Sequence, residues 1–278
     1  MAQIATTHRV ELPNAGHFAH FIPRRHMRRR FALRGAQVSW PSVTPPVGWY
    51  VTDDKIIPID GNDRLGICGP AMAEHVDNVL TWRATGMASV CDVAALEKQY
   101  LADSGGDNGT DEHEMCGQIW APPDGIAGTS WTPPVGSPQY PMGAVLYDHL
   151  DIGLDTQSVY GAIATMGFVC LALSVPTAWI NNFTPDGTTV WDAPATPNPY
   201  NGHYVALLGV YPDGGLVLAT WGSTVKLTLA GLNSCDAELF TGFTPRMFNP
   251  ATGLAFDRMS YDDKAAFWKT MSGHAPPC

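Results

Sequence analysis

The chain has 278 residues, of which 45% are hydrophobic and 15% charged, and it carries a net charge of −10. That length allows one large or two small domains with a sizeable core. The acidic balance disfavours nucleic-acid binding by the body's own surface, and no run of about 20 apolar residues exists to cross a membrane. With 28 Gly and 23 Pro, the composition predicts many turns and long irregular connections.

Charge is unevenly placed. Residues 1–34 hold seven Arg against a single acid, Glu11, a net +6 that leaves −16 on the rest of the chain. Residues 1–45 show no clear strand or helix alternation and read as a basic, extended arm. Its dense cluster (Arg24, Arg25, Arg28, Arg29, Arg30 and Arg34) is suited to docking on an acidic partner within an assembly or to remaining a solvated tail. Pro41, Pro45 and Pro46 keep the next stretch extended, and residues 55–59 are strand-like.

The stretch from Asn62 to Ala73 reads as a loop, loosened by Gly61 and Gly66, that runs into a helix over 69–84. Pro70 suits the first helical turn. Cys68 therefore sits at the helix N-terminus, where free N–H groups and the helix dipole favour a thiolate. Glu74, His75 and Asp77 read as a polar face. His75 lies roughly two turns, about 10 Å, from Cys68 and is too far away to be its base.

A second helix spans 92–101, with Asp92 as its N-cap. The acidic, Gly-rich run from Asp103 resembles a calcium loop only loosely, because Gly105 and Asn108 break the pattern. Thr110 is read as capping a short helix that reaches Trp120. Glu112, His113 and Glu114 have the composition of a metal cluster without its spacing. The Pro/Gly-rich stretch 121–141 is a linker.

Further elements are a strand at 143–147, a helix at 156–166 and an apolar strand at 167–176 that places Cys170 in the core. The loop 177–201 offers Trp179 and Trp191 as walls of a substrate groove. Strands at 202–211 and 215–222 form a hairpin around Pro212-Asp213-Gly214-Gly215. Residues 226–229 continue the sheet, 237–243 form a last strand and 260–271 a last helix. The six cysteines (Cys68, Cys91, Cys116, Cys170, Cys235 and Cys278) include no close CxxC pair. No zinc site of common spacing, and no other metal or cofactor, is therefore expected. With no export signal visible, the thiols are expected to be free and the protein cytoplasmic.

Cys68 opening a helix, Gly202-His203 opening an apolar strand and Trp221-Gly222 closing the next one stand in an informative order. Over about residues 57–245 the chain resembles the papain-like cysteine peptidase superfamily. The wording Gly61-Asn62-Asp63, Gly66, Cys68 and Thr220-Trp221-Gly222 is closer still to a divergent, mostly uncharacterised bacterial and bacteriophage group. The resemblance implies an α+β fold, with a helical half carrying the Cys packed on an antiparallel β half carrying the His. It implies a papain-like domain over 46–245, preceded by the arm at 1–45 and followed by a C-terminal extension at 246–278.

The same resemblance implies Cys68 as nucleophile and His203 as base. Asn62, six residues before the Cys, would be the oxyanion donor. Gly202 precedes the base, and Trp221 would shield it. One position departs from the pattern. The residue two before the Trp, usually an orienting Asn, is Ala219. Orientation of His203 then falls to Thr220, a backbone carbonyl or a distant Asp or Asn, or the site is weak or inactive. Two functions follow. One is a hydrolase of a peptide or isopeptide substrate. The other is an inactive papain-like body serving as a structural component, in a phage setting a virion protein.

Overall fold

The computed structural model describes residues 8–21, 40, 56–111, 114–121, 125–130 and 144–276. The Arg cluster at 24–34, the Pro-rich stretch at 41–46, the pair Glu112 and His113, and most of the linker at 121–141 lie outside the described residues.

In chain order, β1 is His8–Leu12, β2 His17–Phe21, α1 Cys68–Thr85, β3 Val90–Cys91 and α2 Val93–Asp103. β4 follows at Thr129–Ser130, β5 at Asp148–Ile152, α3 at Thr156–Met166 and β6 at Val169–Ser174. Then come α4 Thr177–Asn181, β7 Val190–Trp191, β8 Gly202–Val210, β9 Leu216–Thr220 and β10 Ser223–Leu227. The chain closes with α5 Leu229–Ser234, β11 Glu238–Phe243 and α6 Tyr261–Ser272. The fold is α+β.

The main sheet has the order β5-β11-β6-β8-β9-β10-β7 and is antiparallel except where β7 pairs with β10. β8 lies at its centre, and all nine of its residues are buried. Such a strand is covered on both faces, which is why it reads as a continuous apolar run. α1 packs on β8. The half-buried Arg83 fixes its C-terminal end by donating to the carbonyls of Gly167 and Leu208. Burial lowers that guanidinium's pKa to about 10.

Several expectations need correcting. Residues 8–21 form a hairpin. Val10 and Leu12 face inward on one strand and Ala19 and Phe21 on the other, a two-residue alternation that is easily lost among the intervening His and Arg. Residues 56–59 form no strand, because they run along α1. The Pro58 carbonyl lies 2.7 Å from His75 Nε2, and the Ile56 carbonyl accepts from Asn78. The strand expected at 143–147 reduces, in its described part, to a single bridge between Ala144 and Ile126. The short helix before Trp120 is one π-helical turn, Met115–Ile119, and Asp111 caps that region by accepting from the Glu114 N–H. The hydroxyl of Thr110 makes no hydrogen bond.

Sheet pairing stops at Leu227, where Thr228 caps α5 by accepting from the Gly231 N–H at 2.9 Å. Glu74, His75 and Asp77 are buried between α1 and its neighbours and present no solvent face. Trp179 and Trp191 line no groove. They stack on each other at 5.1 Å within the core. The C-terminal segment packs onto the same body. Phe243 meets Tyr261 and Trp268, and Arg246 faces Asp77 at 3.5 Å. Among the described residues, no helix is long and apolar enough to cross a membrane.

Candidate active site

The approach to Cys68 is held by its own backbone. Asn62 N–H donates to Ile59 O, and Arg64 and Leu65 both donate to Gly61 O. Gly61 lies at φ +75°, and a Cβ there would stand 2.5 Å from the Glu97 carboxylate that pairs with Arg64. Only glycine fits. Gly66 N–H then donates to Asp107 Oδ1 at 2.8 Å, and Tyr100 OH donates to the same oxygen at 2.7 Å. Asp107, which the sequence reading did not single out as a site residue, thus ties the loop after α2 to the residues entering the site.

α1 begins without a side-chain cap. Pro70 has no N–H, and Ala71 already donates to Ile67 O. The unbonded donors of the first turn are therefore those of Cys68 and Gly69. Both, together with the Tyr204 N–H, bond toward the Cys68 sulfur and pull its pKa down. Burial outweighs them, aided slightly by the charge of Asp107, and pushes the thiol up to about 11.

The Tyr204 N–H belongs to the residue after His203, so β8 brings His203 close to the N-terminus of α1. The imidazole Nε2 lies 2.8 Å from Thr220 Oγ1 on the neighbouring strand β9. Thr220 occupies one of the orienting positions left open by Ala219. The other ring nitrogen, Nδ1, makes no hydrogen bond. Burial, reinforced by His75, lowers His203 to about 3. At neutral pH both Cys68 and His203 are uncharged in this conformation.

Trp221 covers the imidazole at 4.8 Å with the planes 19° apart. It can do so because Thr220 pairs with Ser223 across a two-residue turn in which Trp221 (φ 46°) and Gly222 (φ 73°) are both left-handed. Such a turn suits Gly or Asn, and a bulky residue in it costs roughly 1–3 kcal/mol. The almost complete burial of Trp221 against Phe183, Trp191 and His203 offsets that strain.

The hairpin β1–β2 supplies the remaining wall. Phe21 stands edge-on to both His203 and Trp221, each at 5.8 Å. His203 is 0% and Cys68 2% exposed. The sequence carried a signal for Phe21 only in the alternation of residues 18–21. Asn62 is buried in its turn with Oδ1 free of hydrogen bonds. Gly202 opens β8 opposite Ser174.

No protein-family model matches this chain, and a search of curated proteins finds no match. Many solved structures are similar, three of them as follows. The cysteine protease and lectin-like domains of Cwp84, a surface-layer-associated protein of Clostridium difficile, are 11% identical over 72% of this chain and 49% of that one, with a TM-score of 0.45. Xylellain, a cysteine protease from Xylella fastidiosa, is 11% identical over 77% of this chain and 100% of its own, at 0.44. Digestive procathepsin L 3 from the larval midgut of Tenebrio molitor is 12% identical over 75% of each chain, at 0.46. With identities and scores this low, the reading of the site rests on its own geometry.

Proposed function

We propose that this chain is a papain-like cysteine hydrolase that cleaves a peptide or isopeptide bond, held shut here by its N-terminal hairpin. The observation that carries this reading is the junction of α1 and β8. Cys68 is the first helical residue, its sulfur receives the N–H of the residue after His203, and His203 leans on Thr220.

With its proton on Nε2 and donated to Thr220, His203 keeps a lone pair on Nδ1 to accept the thiol proton. The Cys68 thiolate attacks the carbonyl carbon, and His203 returns the proton to the leaving amine. The Cys68 N–H and the Asn62 side-chain amide are the oxyanion donors in this scheme, each worth about 3 kcal/mol. The scheme needs the hairpin to move, because burial holds both groups neutral.

The test is the rate of Cys68 alkylation against pH in the intact protein, in Phe21→Ala and in Phe21→Ala/His203→Ala. A plateau that appears below neutral pH in Phe21→Ala and vanishes with His203 supports the proposal. An ordinary thiol profile in all three overturns it. The same closed geometry favours a second reading, in which the neutral pair is simply core and the body serves as a structural component docked through the arm at 24–34. In that case all three profiles coincide.

A further inference from the structure

Two turns along α1 from Cys68 lies a second polar cluster. Asp60 comes from the loop that carries Asn62, Glu74 from α1 and Cys91 from β3. The Cys91 sulfur and a carboxylate oxygen of each acid lie within 4.8 Å of one another. Asp60 and Glu74 are almost completely buried, and no hydrogen bond of good geometry reaches any of their four oxygens.

Buried carboxylates that face each other without donors need a shared proton or a cation. The nearby cations are already committed. Arg246 faces Asp77 at 3.5 Å. His75 Nε2, 3.3 Å from Asp60, lies closer to the Pro58 carbonyl, at 2.7 Å.

The geometry points to Asp60, Glu74 and Cys91 as a site for one divalent ion of the zinc class. Two carboxylates alone would suit calcium or magnesium, but a thiolate does not. Carboxylate, carboxylate and thiolate with one open position make a tetrahedral zinc set, whose ligand atoms stand about 3.5 Å apart. Side-chain rotations that draw the three ligands inward by roughly 1 Å close it. On binding, the Cys91 thiol gives up its proton and becomes a thiolate ligand. The ion ties the loop carrying Asn62 to α1 and to β3. Being structural, it is independent of whether Cys68 is active.

The test uses the full chain, stripped with a chelator and titrated with Co²⁺ and then Zn²⁺. The expected result is one Co²⁺ per chain with a thiolate-to-cobalt charge-transfer band. The band survives in Cys68→Ser and disappears in Cys91→Ser. Zn²⁺ displaces the cobalt, and Cys91→Ser or Glu74→Gln weakens binding at least 10–100-fold, the loss that even an outer-sphere change brings. Cys91 is only half-buried, so Cys91→Ser is expected to fold; its far-ultraviolet circular dichroism checks this. Absence of the band in the wild type, or its persistence in Cys91→Ser, overturns the proposal and leaves a proton-sharing carboxyl pair.

Discussion

α1 carries two buried polar groups, and burial treats them differently. At its first residue, Cys68 lies buried close to the strand that carries the buried His203, where every charge can be given up. The thiol keeps its proton, the imidazole stays neutral with a single N–H, and Thr220 engages its Nε2 while Nδ1 is left without a hydrogen bond. Two turns on, Asp60 and Glu74 can share one proton, but no hydrogen bond of good geometry reaches their oxygens. A buried acid–base pair can rest in a neutral state and be charged later by exposure. A buried pair of acids rests only by sharing a proton or by taking up a cation.

Phe21→Ala breaks this comparison most strongly. The ring is fully buried on His203 and Trp221, so its loss costs about 3 kcal/mol of stability in urea unfolding. Alkylation of Cys68 should accelerate in the same variant. A residue that only filled the core would lower stability without giving a His203-dependent rise in reactivity.

His203 gives the next effect. Its folded pKa of about 3 lies below the unfolded 6.5, so the unfolded chain binds the extra proton between those values. Stability is full above pH 6.5 and falls as pH drops toward 3. At pH 4.5, two units below 6.5, the loss is on the order of 2–3 kcal/mol. His203→Gln lacks this loss. Urea midpoints of both proteins at pH 7.5 and 4.5 measure the difference, and contributions from the other acids cancel between them. Equal acid sensitivity would mean that the imidazole is solvated in solution.

The second cluster predicts a reversal of sign. In chelator-stripped protein, Glu74→Gln removes a carboxylate without donors and should raise stability by about 1–2 kcal/mol. In zinc-saturated protein the same change removes a ligand and should lower it. A gain under both conditions would leave only the proton-sharing pair.

How much of this was legible in the sequence follows from local chemistry. Pro70 after Cys68 marks the helix start, whereas Trp221-Gly222 reads as the end of a strand and turns out to be a left-handed turn. The order of Cys68, Gly202-His203 and Trp221-Gly222 was legible as well, and the structure puts Cys68, His203 and Trp221 on neighbouring elements; their roles as nucleophile, base and shield belong to the proposal. Asp107 gave no usable signal, because an acid in a Gly-rich loop looks the same whether it binds solvent or the N–H of Gly66. Glu74, His75 and Asp77 read as a solvent face because polar residues at helical spacing normally are one. Here the segment at 56–60 covers them, and its carbonyls use His75 and Asn78. Asp60, Glu74 and Cys91 come from three separate elements, so no spacing rule could gather them.

The smallest effect is the sharpest probe of Ala219. If the Thr220 hydroxyl takes over the orienting role of the missing amide, Thr220→Val removes a single buried hydrogen bond. The cost is about 1 kcal/mol, close to a tenfold change. In the Phe21→Ala background that should appear as a several-fold slower Cys68 alkylation at neutral pH. The pH profile should also shift upward as the imidazole loses its anchor. Thr220→Ser keeps the oxygen and should restore both, although it leaves a methyl-sized gap beside β10. A structural threonine would behave the other way. Valine, which keeps the volume, would leave the alkylation profile unmoved, and serine would be the more disruptive change. Which of the two substitutions moves the profile therefore distinguishes an oriented base from a packed strand residue.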